Sequence, residues 1–396
     1  MYKLLALSLS IVFFGIFGCT KQPAISGKVL YSEVSSYNSK IYLIQPRTFD
    51  EIAAPFLGKV IDSAEVGDDG TFAFQQLTML QQPTLLHLAV QENGKRNNYL
   101  QNEDPATANY MPIVWQPGDQ LVISASAENF QQSFSLENLS EANTALMELR
   151  NIKLEAFQHH LANKEWNVED GSQLLEKEEA ALNYKSALMD FAETTNNIFA
   201  ALVAIRWVSP QQDYERVPEF LFSQCETWSK KDPNHPWVQQ LCEKADKSVL
   251  PVLVGDHFPD VKLPMVSGDT LALYPQLGKK ITIIDLWASW CVPCRKENRE
   301  VLVPLWEQYH DQGFQIIAYG LESNEEAWKA AIEKDGAYRW LHASHLEGDE
   351  ASFMKTLRIQ TIPANFILDS EGNILAKNLH GEELREWIDN YMKGFK

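Results

Sequence analysis

The sequence has no long run of basic residues: 34 Lys and Arg stand against 53 Asp and Glu, which gives a formal net charge of −19. Nucleic acids and anionic membrane surfaces bind clustered positive charge, so both are poor partners for this chain. Apolar residues make up 45% and charged residues only 22%, a composition that excludes a disordered chain. Because 396 residues are too many for one ordinary domain, we expect two or three.

Long hydrophobic segments are also scarce. The uncharged apolar run at residues 4–17 is shorter than the roughly 20 residues of a membrane-spanning helix and has the length of a signal-peptide core. The residues around Cys19 resemble a bacterial lipobox, in which the cysteine becomes the lipidated first residue. We therefore predict a signal peptide at 1–18, a lipidated tether at 19–23 and an envelope protein that faces the periplasm, where disulfides persist. An uncleaved anchor with a coincidental cysteine is the alternative.

Cysteine is rare, with five in the whole chain. Cys225 and Cys242 fall in two predicted helices, at about 217–229 and 236–246, on either side of a proline-containing breaker. In an antiparallel helical hairpin the two positions would face each other, which makes a structural disulfide plausible. Two unpaired thiols that pack as small hydrophobic groups remain open.

The pattern of apolar residues divides the chain into three parts. Short alternating or β-branched runs separated by turn signals predict a β sandwich or barrel at 24–130. Helical spacing predicts an all-helical domain at 136–247, and alternating strands and helices predict an α/β domain at 250–396. The predicted strands of the first part are 24–30, 40–45, 59–66, 71–74, 84–91 and 120–126. The predicted fold class is multidomain: an all-β sandwich-like domain, a helical middle domain and a C-terminal α/β domain.

The segment WASWCVPC at 287–294 follows the apolar run 281–287, which is typical of a central strand covered on both faces. It places Cys291 at the start of a helix, where free backbone N–H groups and the helix dipole stabilise a thiolate. The same spacing fits half of a zinc site, but the second cysteine pair that zinc would need is missing. We predict a redox-active Cys291–Cys294 disulfide and expect no metal or other cofactor.

Residues 252–394 resemble the TlpA/ResA-type thioredoxin-like family of extracytoplasmic reductases. Besides the cysteine motif, the matching segments are GDHFPD (255–260), SGDT (267–270), TIP (361–363), FILD (366–369) and GNI (372–374). The layout of 24–130 resembles the β domain, of unassigned function, that precedes such modules in Bacteroidetes lipoproteins. The resemblance implies a thioredoxin fold, exchange with the thiols and disulfides of envelope proteins, and an upstream thiol reductant.

The resemblance and thiol chemistry together suggest roles for single residues. Cys291, exposed at the helix tip, is expected to attack a substrate, and Cys294 to resolve the mixed disulfide. Cys294 needs a base, for which Asp285 matches the buried aspartate of cytoplasmic thioredoxins and Glu297 the glutamate of the ResA-like branch. A strand-end polar residue and a solvated helix residue are the respective alternatives. The strand at 314–319 lacks the lysine that pairs with the aspartate in thioredoxin, so the surroundings of Asp285 should differ.

Five further residues complete the prediction. Pro363 should follow a cis peptide bond and place the Ile362 backbone beside the disulfide, where it would accept a substrate strand. Trp290 should shield the active site. His342 and His345 have a metal-like spacing, but without further ligands they are interpreted as surface residues of a loop.

The leading hypothesis is a membrane-tethered thiol–disulfide oxidoreductase. Val292 and Pro293 lack the histidine that strongly oxidising catalysts carry between their cysteines, which favours a reductant. A peroxiredoxin-like peroxidase is an alternative, but Trp287 stands where the Pro-x-x-x-Thr/Ser-x-x-Cys pattern has its proline. A third reading is a binding lipoprotein whose first two-thirds dock a partner and whose thioredoxin domain is accessory.

Overall fold

The computed structural model describes residues 22–75, 77–102, 104–168, 171 and 173–394. The predicted signal peptide and the predicted lipidation site Cys19 lie outside these residues. Within the described ranges, no helix combines the length and the apolar character needed to cross a bilayer.

Eight strands at the start of the described chain form two four-stranded sheets. They are β1 (Ile25–Leu30), β2 (Tyr37–Gln45), β3 (Lys59–Glu65), β4 (Thr71–Phe74), β5 (Thr84–Glu92), β6 (Tyr110–Trp115), β7 (Leu121–Ser126) and β8 (Ser135–Glu137). One sheet has the order β4–β1–β7–β8 and the other β3–β2–β5–β6. Among the described strands of these two sheets, β1 and β7 are the one parallel pair. The part is β-rich with two sheets, in agreement with the predicted fold class.

The sequence does not predict β6 or β8. Pro112 lies in the middle of β6, and a proline normally argues against a strand because it lacks a backbone N–H. It is tolerated here because β6 is an edge strand that pairs only with β5, where Pro112 faces His87. β8 has three residues and is too short to leave a pattern.

One short helix lies between β7 and β8, and longer helices follow the two sheets. They are α1 (Phe130–Ser133), α2 (Glu141–His160), α3 (Leu174–Thr194), α4 (Ile198–Val208), α5 (Pro218–Lys231) and α6 (Pro236–Lys244). The amide of Asn143 in α2 bonds to both the N–H and the C=O of Val114 in β6, each at 2.8 Å. Buried side chains of the sheets and of these helices form one continuous hydrophobic core, in which α4 is buried from Ala200 to Val208. The predicted domain boundaries stay predictions.

The pair α5 and α6 is cross-linked. Cys225 of α5 and Cys242 of α6 form a disulfide with their Cα atoms 5.0 Å apart. Trp228 and Val238 from the same two helices are buried in a small cluster beside the bond. Of the two alternatives left open by the sequence, the structure contains the disulfide.

The last part of the chain has a five-stranded sheet preceded by a hairpin. Its strands are β9 (Lys262–Pro264) and β10 (Thr270–Ala272) in the hairpin, then β11 (Ile281–Trp287), β12 (Phe314–Gly320), β13 (Leu341–Ala343), β14 (Ala364–Asp369) and β15 (Ile374–Lys377). The helices are α7 (Val292–Glu297), α8 (Val303–Tyr309), α9 (Glu325–Lys334), α10 (Ser352–Leu357) and α11 (Gly381–Lys393). The sheet order β13–β12–β11–β14–β15 puts β11 at the centre, parallel to β12 and antiparallel to β14. This is the predicted thioredoxin-like fold.

His342 lies in β13 and is buried, which corrects its interpretation as a surface residue. The side chain is 1% exposed, its Nε2 lies 2.9 Å from the carbonyl oxygen of Ala337, and its ring packs against Trp287 and Trp340. Burial lowers the pKa of His342 to about 4, so the ring is neutral. The sequence interpretation was wrong because the three-residue strand has no readable period and the aromatic neighbours come from distant segments.

Candidate functional site

The two cysteines lie at the turn between β11 and α7. Cys291 is the N-cap residue of α7, and its Sγ accepts a hydrogen bond from the N–H of Cys294 at 3.3 Å. Pro293 occupies the first helical turn, where its missing N–H leaves no intrahelical bond unmade. Cys291 and Cys294 are joined in a disulfide. The helix N-terminus that the sequence predicts for a reactive thiol is therefore present.

The expectation that Cys291 is exposed is wrong for this oxidised form. Cys291 is 5% exposed and Cys294 3%. The Cys291 sulfur is bonded to Cys294 and also accepts the hydrogen bond from the Cys294 N–H. Trp290 next to it is 60% exposed. The indole thus stands in solvent beside the disulfide, and its shielding role stays a prediction.

The turn is stabilised by side chains that the sequence analysis did not identify. Glu322, just after β12, accepts hydrogen bonds from the N–H and the hydroxyl of Ser289. Arg295 of α7 donates to the carbonyl of Ser289 and pairs with buried Asp335, which also pairs with Arg299. Burial raises the pKa of Glu322. An acidic residue two positions after a buried strand was the one sequence signal for it.

Asp285 lies in the central strand, buried at 4% exposure. It pairs in register with Ala318 of β12 and Asn365 of β14. Among the described residues, none donates a hydrogen bond to its carboxyl. Burial, and next the negative charge of Glu297, raise the pKa of Asp285 well above its usual range. A carboxyl with a raised pKa can hold and release a proton near neutral pH, as proton transfer with a thiol requires.

Glu297 ends α7 and is 5% exposed, so the solvated alternative does not hold. One carboxylate oxygen accepts from the N–H of Gly381 at 2.9 Å, and the other lies 3.0 Å from Nδ1 of His380. Both contacts come from the N-terminal end of α11, which the sequence analysis did not connect with the site. The structure thus brings together the two carboxyls that the sequence offered as alternative bases.

The loop before β14 lies at the same end of the sheet as the cysteines. Ala364 pairs with Leu286 near the end of β11, so the preceding residues Ile362 and Pro363 are placed beside the start of α7. The Ile362–Pro363 peptide bond is cis. Neither backbone group of Ile362 has a hydrogen-bond partner among the described residues. These two groups could accept an extended chain.

Comparisons with known proteins agree with this geometry. The Redoxin family matches residues 253–391. The chain is 25% identical over 140 residues to the thiol-disulfide oxidoreductase ResA of Bacillus thuringiensis subsp. konkukian (strain 97-27), which covers 35% of this chain and 77% of that protein. It is also 25% identical over 131 residues to the thiol:disulfide interchange protein DsbE of Pseudomonas fluorescens biotype C, covering 32% of this chain and 66% of that one.

Two solved structures from Bacteroides are also similar in sequence. The thioredoxin domain of a thiol-disulfide oxidoreductase from Bacteroides vulgatus is 28% identical, with 36% of this chain and 99% of that chain covered and a TM-score of 0.33. A thiol-disulfide oxidoreductase from Bacteroides fragilis NCTC 9343 is 29% identical, with 34% and 98% covered and a TM-score of 0.32. Residues 253–391 are a Redoxin domain, and this part of the chain is that of a thioredoxin-like thiol–disulfide oxidoreductase.

Proposed function

We propose that the chain is a lipid-anchored reductant of disulfides in envelope proteins, held by Cys19 and facing the periplasm. The observation that carries the proposal is the Cys291–Cys294 disulfide at the N-terminus of α7, with a buried carboxyl of raised pKa in the adjoining strand. The relatives named for thiol–disulfide exchange support the chemistry. The signal-peptide and lipobox patterns support the location.

In the proposed cycle, the Cys291 thiolate attacks one sulfur of a substrate disulfide, and the other substrate sulfur leaves as a thiolate that takes up a proton. Cys294 then loses its proton and attacks the Cys291 sulfur. The substrate leaves with both cysteines reduced, and Cys291–Cys294 is left as a disulfide. An upstream thiol reductant must return two electrons and two protons before the next turnover. The cycle uses no cofactor besides the two cysteines.

The carboxyls have a place in the second step. Cys294 is buried, so its thiol needs a nearby base before it can attack. Asp285, whose pKa burial raises, accepts the proton, and Glu297 beside it is held by Gly381 and His380. Trp290 and the backbone of Ile362 next to cis Pro363 are the proposed substrate contacts.

The reduction potential of the Cys291–Cys294 pair tests the direction of electron flow. The protein would be equilibrated in glutathione and dithiothreitol buffers, with a Cys225→Ala/Cys242→Ala variant as the matched control for the other disulfide. A value near about −270 mV supports a reductant, whereas a value near about −120 mV makes the protein an oxidant and contradicts the proposal. The control should give the same value as the unaltered protein.

A second experiment tests the chemistry itself. A Cys294→Ser variant should hold a substrate protein through a mixed disulfide at Cys291, which non-reducing electrophoresis detects and dithiothreitol releases. Cys291→Ser should trap nothing. If peroxide is consumed at a catalytic rate while no protein disulfide is reduced, the peroxidase alternative replaces the proposal.

A further inference from the structure

The helical part of the chain touches the Redoxin domain at the loop that precedes cis Pro363. The contact comes from the short connection between α4 and α5. There Glu215 accepts hydrogen bonds from two successive backbone N–H groups, those of Gln360 at 2.9 Å and Thr361 at 3.0 Å. A carboxylate that accepts from backbone N–H groups makes charge-assisted bonds, which are about twice as strong as neutral ones.

Arg216, the next residue, contacts the same loop on the other side of Ile362. Arg216 donates to the carbonyl oxygen of Pro363 at 3.0 Å and to Oδ1 of Asn378 at 3.1 Å. Glu178 of α3 holds the guanidinium in an ion pair at 2.6 Å, and the Arg216 side chain is only 12% exposed. Arg216 is therefore fixed by the helical part before it reaches the loop.

Together, Glu215 and Arg216 bind the backbone on both sides of Ile362. The N–H groups of Gln360 and Thr361 and the carbonyl of Pro363 are bonded, whereas the N–H and C=O of Ile362 between them have no partner within the described residues. An unpaired N–H and C=O just before a strand are groups with which an extended chain can pair when it adds to the sheet. The contact fixes the neighbours of Ile362 and leaves that residue free.

A cleft of about 1140 Å³ opens next to this loop, with walls from both parts of the chain. Tyr214, Glu215 and Lys244 line one side, and Leu321, Met354 and Thr361 line the other. Leu321 is itself tied to the active-site strand, since its N–H donates to the carbonyl of Trp287 at 2.8 Å. The cleft thus runs beside both the end of β11 and the loop before β14.

We propose that Glu215 and Arg216 are positioning residues for the substrate polypeptide. They hold the loop so that Ile362 can pair with an extended segment next to the reacting cysteine, and the cleft receives the rest of that segment. The helical part is thereby one wall of the substrate site. The proposal rests on the proposed function and deepens it, because it assigns polypeptide substrates to a site that the Redoxin domain does not complete alone.

Positioning predicts a loss confined to polypeptide substrates. A small disulfide needs only access to Cys291, whereas a polypeptide also needs the pairing at Ile362. In Glu215→Ala, kcat/KM for the reduction of insulin should fall about tenfold, mainly through KM, because bonds to a charged partner are lost and the loop is no longer held in place. The rate with 5,5′-dithiobis(2-nitrobenzoic acid) should change less than about twofold, and Arg216→Ala should behave in the same way.

The chain offers a matched control at the same junction. Glu219 of α5 accepts from the N–H of Val254 at 2.9 Å and pairs with Lys377 at 2.7 Å, so it also joins the two parts but does not touch the loop before β14. Glu219→Ala should leave the KM for insulin unchanged. Glu215→Gln, which keeps one acceptor oxygen, should recover part of the loss.

The full-length protein and its variants would be assayed with both probes, and circular dichroism would confirm that each variant is folded. An unchanged KM for insulin in Glu215→Ala overturns the proposal, as does an equal loss in Glu219→Ala. A rise in kcat/KM would also overturn it, because the contact would then act as a cover. If the unaltered protein reduces neither probe, the proposed function itself fails. Normal reduction of both probes by Glu215→Ala defeats only the positioning role.

Discussion

Removing the Cys225–Cys242 disulfide should lower the free energy of unfolding of the sheets and helices that precede the Redoxin domain. The size of the effect depends on the number of residues in the loop that the disulfide closes. The bond joins residues 17 apart. In the chain-entropy account, closing a loop of that length removes about 10 cal/mol/K from the unfolded state, or about 3 kcal/mol at 25 °C. The core that would unfold spans roughly residues 22–250. For a unit of that size each kcal/mol moves the Tm by about 2–4 °C, so the Tm should fall by about 6–12 °C.

The measurement needs a background in which only this disulfide can change. In a Cys291→Ala/Cys294→Ala protein, reduction with dithiothreitol opens Cys225–Cys242 and leaves no second pair to open. Calorimetric scans of the oxidised and reduced forms then isolate the cross-link, and Cys225→Ala/Cys242→Ala should match the reduced form to within the cost of two small side chains. If the two scans differ by less than about 2 °C, the entropic reasoning fails for this loop.

Three other outcomes follow from the Redoxin domain. Burial and the charge of Glu297 raise the folded pKa of Asp285 above its unfolded value, so stability falls as pH rises from about 4 toward the folded pKa; Asp285→Asn should raise the urea midpoint more at pH 8 than at pH 4. For His342 the pH dependence of stability has the opposite sign, because burial lowers its pKa to about 4 in the folded state. The free energy of unfolding should fall by about 3 kcal/mol from pH 6.5 to 4, and His342→Gln should abolish this pH dependence in urea titrations. Glu322→Ala should cost about 1–2 kcal/mol in urea unfolding, because it leaves two donors of Ser289 unpaired.

Local pattern was sufficient for much of the fold. All six predicted strands of the first part are present, and β11 stands at the centre of its sheet because a continuous apolar run can only be covered on both faces. The cysteine turn was predictable as well, since strand, N-cap and proline are contiguous in sequence. β6 was not predictable, because its proline is acceptable only at a sheet edge, and edge position is a property of the assembled sheet.

The remainder depends on distant segments meeting. His342 reads as a surface histidine until Trp287 and Trp340 enclose it, and no local signal reports such enclosure. Glu215 and Arg216 read as ordinary charges in a polar connection, and only the docking of the helical part against the loop before β14 gives them partners. Contacts of this kind follow from tertiary packing, which single-sequence patterns do not encode.

The sequence offered Asp285 and Glu297 as alternative bases for Cys294, and the structure distinguishes between them. Both are buried, but their surroundings differ. Burial, and next the negative charge of Glu297, raise the pKa of Asp285, so its carboxylate is a stronger base than an exposed one, and β12 has no lysine that would lower this pKa. Glu297, in contrast, accepts a hydrogen bond from the N–H of Gly381 and lies beside Nδ1 of His380. Neighbouring carboxyls in unlike surroundings can take different roles in proton transfer. Asp285 is therefore the better candidate for the base that accepts the proton of Cys294, and the negative charge of Glu297 strengthens that base by raising its pKa.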